Sequence, residues 1–99
     1  MKYVYINRLG DRESIIEHKS ELEKLSNNKI IERYNRQVEI GIVGVHQQIL
    51  IIIALHQIFL KRFNKSPIEV EKNVLISLKG KIDNISSINR FIIYFGNYL

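Results

Sequence analysis

The chain has 99 residues, 45% of them hydrophobic and 25% charged, with a formal net charge of +5 and no cysteine. That length suits a single domain over residues 1–99, and the mix of apolar and charged side chains argues against intrinsic disorder. The lack of cysteine excludes disulfides, thiolate catalysis, iron–sulfur clusters and cysteine zinc sites.

The N-terminal stretch MKYVYINRLGDRES meets polar and acidic residues at once and has no apolar core of signal-peptide length, so the expected location is the cytoplasm. Isoleucine, asparagine and lysine are abundant beside a single alanine, Ala54, a bias that fits an AT-rich genome such as that of a phage or other mobile element. Residues 2–8 alternate and are rich in β-branched and aromatic side chains, which suits a short strand or an extended arm. After Gly10, good helix formers carry Ile15, Ile16, Leu22 and Leu25 close to one face and predict an amphipathic helix over about 12–26.

The next helix is expected to be long. No proline interrupts the chain from Asn28 to Asn64, so a central helix over about 28–64 would reach about 50 Å at ~1.5 Å per residue. Gly41 and Gly44 lower helix stability inside it and mark a kink or break. Beyond it, Ser66, Pro67 and Glu69 form a helix-start signature and Gly80 stands where a terminating glycine belongs, which predicts a third helix. Against that, Ile68, Val70, Val74, Ile76 and Leu78 also alternate, as a strand over 74–78 would. In the last segment, Ile82, Ile85, Ile88, Ile92 and Phe95 recur at spacings of three or four and suggest a short fourth helix, with a strand over 90–95 as the competitor. The fold class expected is therefore mainly α, a three- to four-helix domain around the central helix. The alternative is α+β, with short strands at 2–8, 74–78 and 90–95.

The run GIVGVHQQILIIIALHQIFL decides most of the functional reading. It is long enough for a membrane span, yet His46, Gln47, Gln48, His56 and Gln57 would enter the bilayer and basic residues flank both ends, which makes a small membrane protein the third choice. His46 and His56 lie about 15 Å apart along a helix axis, and neither has a ligand at the i,i+4 offset. No catalytic, metal or cofactor site is expected. The segment ILIIIAL is apolar on every side and needs neighbours all round, supplied by its own chain or by a second copy. A self-association seam of Gly41, Gly44, His46, Leu50, Ile53 and Gln57 would serve the second case, with polar groups toward its ends setting the register.

Charge supplies the other candidate surface. Lys61, Arg62 and Lys65 gather at a helix C-terminus, where cations are favoured without any ligand. Lys29, Arg33 and Arg36 follow one another at i, i+4 and i+7, with Tyr34 beside them, and form the candidate contact for an anion or nucleic acid. The function expected is a non-catalytic, self-associating module that binds a macromolecular partner as a regulator or inhibitor. A nucleic-acid-binding regulator is the runner-up.

Overall fold

A computed structural model describes residues 4–5, 8–71, 74–84 and 88. Three helices, α1 (Asp11–Leu22), α2 (Asn27–Ile40) and α3 (His46–Phe63), occupy the first two thirds of the chain. Three short strands, β1 (Val4–Tyr5), β2 (Ile68–Glu71) and β3 (Val74–Leu78), form an antiparallel sheet in the order β1-β3-β2. The architecture is thus mainly helical with a small sheet.

Side-chain contacts give the helix directions. Asp11 at the start of α1 meets His46 at the start of α3, while Glu23, just past α1, meets Lys61 near the end of α3, so these two helices run parallel. Asn27 at the start of α2 meets Arg62, and Gln37 meets Gln48, so α2 runs antiparallel to α3. Ser26 caps α2 by accepting the Lys29 N–H at 3.3 Å, as a serine before a helix should. Asn64 closes α3 in the left-handed conformation at φ 60°.

The expected continuous helix over 28–64 is divided. Gly41 and Gly44 adopt φ of 78° and 89°, a region that side chains with a Cβ avoid, and the five residues from Gly41 to Val45 leave the helical path. The result is two antiparallel helices and a link in place of one kinked rod.

The predicted third helix is also replaced. Ser66 spends its hydroxyl on its own strand entry, accepting the Ile68 N–H at 3.1 Å, and the chain continues as β2 and β3. The period-two pattern prevails because it matches burial: Ile68 and Val70 enter the core, while Glu69 is half-buried and Glu71 exposed. Ladder pairs run Ile68 with Leu78 and Val70 with Leu75, and a bulge between Glu69 and Val70 absorbs one extra residue of β3. Val4–Tyr5 realises part of the strand expected over 2–8, and Val74–Leu78 is the strand expected over 74–78. The fourth helix and the strand over 90–95 lie outside the described residues, apart from a few at the start of that helix.

Helix α3 is the centre of the core. Ile49, Leu50, Ile52, Ile53, Ala54, Leu55, Ile58 and Phe59 are each no more than 1% exposed. Ile15 and Leu22 from α1, Ile30, Ile31 and Tyr34 from α2, Ile68, Val70 and Leu75 from the sheet, and Ile82 and Ile88 join them in one cluster. ILIIIAL thus finds its neighbours in its own chain, and the run no longer requires a second copy. No helix among the described residues is long and apolar enough to cross a membrane.

Candidate functional site

At about 100° per residue, Lys29, Arg33, Arg36 and Ile40 fall on one stripe of α2, opposite the side from which Ile31, Tyr34 and Val38 pack inward. All four stripe residues are exposed. Beside the stripe lies an open groove of about 510 Å³ lined by Glu32, Arg33, Asn35, Arg36, Glu39 and Lys81. Arg33 and Arg36 form no hydrogen bond or ion pair with any described residue, whereas Lys29 pairs with Glu32 at 3.5 Å and Lys81 with Glu39 at 2.9 Å. The bond from Lys81 holds the Glu39 carboxyl below the usual carboxylate range.

The far wall of the groove is tied to α2 by two side chains. Asn35 donates to the carbonyl of Ile82 and accepts its N–H, both at 2.8 Å, and Tyr34 donates its hydroxyl proton to the Gly80 carbonyl at 2.6 Å. Asn35→Ala is expected to cost about 1–3 kcal/mol, since it leaves two partly buried backbone groups without their partner. Urea denaturation checks it, and an unchanged midpoint would show that the clamp is idle.

The link between α2 and α3 is held with equal care. Gln48 accepts the Val43 N–H at 3.2 Å and donates to the Gly41 carbonyl at 2.8 Å and to Gln37 Oε1 at 3.0 Å. With its backbone so pinned, the link packs Ile42 against the core and turns two side chains outward: Val43 and Val45 are both 58% exposed. Asp11 anchors the same end. Its Oδ1 accepts from His46 Nε2 at 2.7 Å and its Oδ2 accepts the Arg8 N–H at 2.7 Å. Burial raises the Asp11 carboxyl, but the bonds from His46 and Arg8 outweigh it and leave its pKa lowered.

The residues singled out in the sequence separate into two groups. Lys29, Arg33 and Arg36 share the outer stripe of α2, but Tyr34 does not join them: it is enclosed, with its ring edge-on to Phe59 at a centroid distance of 5.5 Å. The residues proposed as a seam do not share one exposed face: Gly44 is exposed and Gly41, His46 and Gln57 are partly exposed, but Leu50 and Ile53 are buried. Leu50 and Ile53 face the core of the same chain, His46 is engaged by Asp11, and Gln57 is half-buried. Gly41 and Gly44 have nothing within 4 Å of where a Cβ would stand, so their backbone angles explain them better than a close approach does.

Asn35 stands beside the stripe in the sequence, but its clamp on Ile82 does not show there, and the contacts of Asp11, Gln48 and Lys81 also escape a reading of the sequence. Each acts on a distant residue, except Gln48, whose targets lie at most 11 positions away. A polar residue inside an otherwise helical pattern, as Asn35 is, was the one local signal.

One pair has the spacing of a nucleophile and its base. His56 Nδ1 lies 2.8 Å from Ser66 Oγ, yet both residues are fully buried and no substrate can approach them. Among the described residues no three His, Asp or Glu side chains come together as metal ligands. The accessible chemistry is instead that of cations on a helix face next to exposed aliphatic side chains. Comparison with protein-family models, curated proteins and solved structures finds no match for the chain.

Proposed function

We propose that the protein is a non-catalytic module that binds a macromolecular partner, as a small regulator or inhibitor, through the outer face of α2. The observation that supports this reading is the pair Arg33 and Arg36, exposed on that face beside the Lys81 groove and, among the described residues, in no ion pair, although Glu32 and Glu39 line the same groove. Guanidinium groups left in this way suit carboxylates or phosphates, which they bind through two parallel hydrogen bonds. Asn35 and Tyr34 hold the opposite wall in place, so little ordering is needed when a partner arrives. The proposed location is the cytoplasm.

Capture from a host extract tests the proposal. Material retained by the native protein is expected to be lost with the Arg33→Glu, Arg36→Glu double variant, whose folding is unaffected because both positions are exposed. Equal retention by both proteins would refute the assignment of this face.

Nucleic acid is the second reading, favoured by the succession of Lys29, Arg33 and Arg36 along one exposed stripe of α2. If they contact phosphates, affinity falls as salt rises, and the double variant lowers the slope of log affinity against log salt by about 2. Nuclease treatment of the captured material separates the two readings, and no binding to DNA or RNA at about 50 mM salt removes the second.

A further inference from the structure

The bond between Asp11 and His46 brings together two segments that are far apart in sequence. Leu9, two residues before Asp11, is fully exposed, and Val45, one residue before His46, is 58% exposed, as is Val43. Ile40, at the end of α2, is 48% exposed. One end of the molecule therefore presents four aliphatic side chains to water, on a backbone that Gln48 and Asp11 hold still. Around them stand Arg8 and Arg12 at the entry of α1 and Arg36 one turn before Ile40, all exposed. Of the acids at this end, Asp11 is enclosed by its partners and Glu39 is paired with Lys81, which leaves Glu13 and, one turn further along α1, Glu17 as exposed acids without an ion pair among the described residues.

We infer that this end of the protein docks on an anionic membrane surface, with Leu9, Ile40, Val43 and Val45 entering the headgroup region and Arg8, Arg12 and Arg36 meeting lipid phosphates and carboxylates. Aliphatic side chains ringed by cations combine the two attractions that interfacial binding uses. The small size of the patch favours this occupant over a second copy of the chain. Four aliphatic side chains are far fewer than the roughly 20–30 residues per side of a standard protein interface, whereas shallow insertion needs no matching surface. The location differs from the span considered for residues 40–60: the buried face of α3 is not involved, and of that run only Ile40, Val43 and Val45 touch lipid.

Co-sedimentation with vesicles at low salt tests the inference. The native protein is expected to bind phosphatidylcholine vesicles that contain phosphatidylserine and to bind pure phosphatidylcholine vesicles at least about tenfold more weakly. Val43→Asp with Val45→Asp is expected to weaken the first interaction by about tenfold or more, because two apolar side chains are lost from the inserted set. Far-UV circular dichroism should stay unchanged, since Gln48 holds the link through backbone groups. No retention by the anionic vesicles, retention that the double valine variant leaves intact, or equal retention by uncharged vesicles overturns the inference. So does light scattering that shows a native dimer and a monomeric valine variant, which would make this end an interface between copies. Arg36 belongs to both surfaces, so the separating variants are Arg33→Glu alone, which alters only the groove face of α2, and the double valine variant, which alters only the link; with these the two assignments fail separately.

Discussion

Ile52→Glu is expected to leave the chain unfolded at neutral pH, with loss of its helical far-UV signal. Ile52 is fully buried in the middle of α3, and the core around it is built from isoleucine, leucine and aromatic side chains from both other helices and the sheet. An ionised carboxylate placed there without a partner costs several kcal/mol, on top of the packing lost with the isoleucine. A domain of this size has a total stability of roughly 5–15 kcal/mol, and small domains lie toward the lower end. The substitution therefore consumes most or all of it. Val43→Glu supplies the contrast, since that side chain already faces water and an exposed change of this kind alters stability by only about 0.5 kcal/mol. If Ile52→Glu kept the native urea midpoint, α3 would not be the centre of the core.

Burial of ILIIIAL can be read from its composition, because a helix apolar all round has no face to give to water. What covers it cannot. The covering residues Leu75, Ile82 and Ile88 lie beyond the end of α3, and Ile15 and Ile30 precede it, so their positions depend on chain reversals that periodicity does not report. Helix α1, expected over about 12–26, runs from Asp11 to Leu22, so its start was legible and its end was not; of the residues assigned to one face, Ile15 and Leu22 are buried while Ile16 is exposed. The division at Gly41 and Gly44 was visible as a weakness, but its outcome depended on whether the two halves could pack antiparallel, which Gln48 and Arg62 secure.

Of the two readings of residues 66–78, the strand over 74–78 holds, and the helix from Ser66 fails for a physical reason. Ser66, Pro67 and Glu69 suit a helix start, but a helix would have placed Ile68 and Val70 on nearly opposite sides of its axis, and both are needed on the core side. Local capping preference is worth about 1 kcal/mol, less than the burial of either apolar side chain. The candidate face shows the same limit. The cationic stripe of α2 follows from spacing alone, whereas the groove depends on Asn35 reaching Ile82, 47 residues away. Tyr34, read as part of the stripe because it is adjacent in sequence, points about 100° away from Arg33 on the helix and so enters the core.

Loss of stability on mild acidification is the second large effect expected, and His56 is its source. The ring is fully buried, and burial pushes its pKa down to about 4 against 6.5 for an ordinary histidine, although the hydrogen bond to the Ile68 backbone raises it somewhat. Above pH 6.5 the ring is neutral in both the folded and the unfolded chain, and stability is complete. Below that, the unfolded chain takes up a proton that the folded chain refuses, so unfolding is favoured by about 1.4 kcal/mol per pH unit. The loss accumulates to about 3 kcal/mol by pH 4 and then levels off. The carboxylates of Asp11, Glu23, Glu39 and Glu69, whose pKa values are all lowered by their partners, act in the same direction but only as pH falls below their ordinary values of 3.8 and 4.5. Of these five groups, His56 is the one that acts between about pH 6.5 and 4.5. Urea denaturation at steps through that window is expected to show the native midpoint falling with pH. In His56→Gln, which keeps a hydrogen-bonding group near Ser66 but cannot take up the proton, the midpoint is expected to be lower at pH 7 and flat across the same range. A slope that survives in the variant would assign the acid sensitivity to another group and remove His56 from this role.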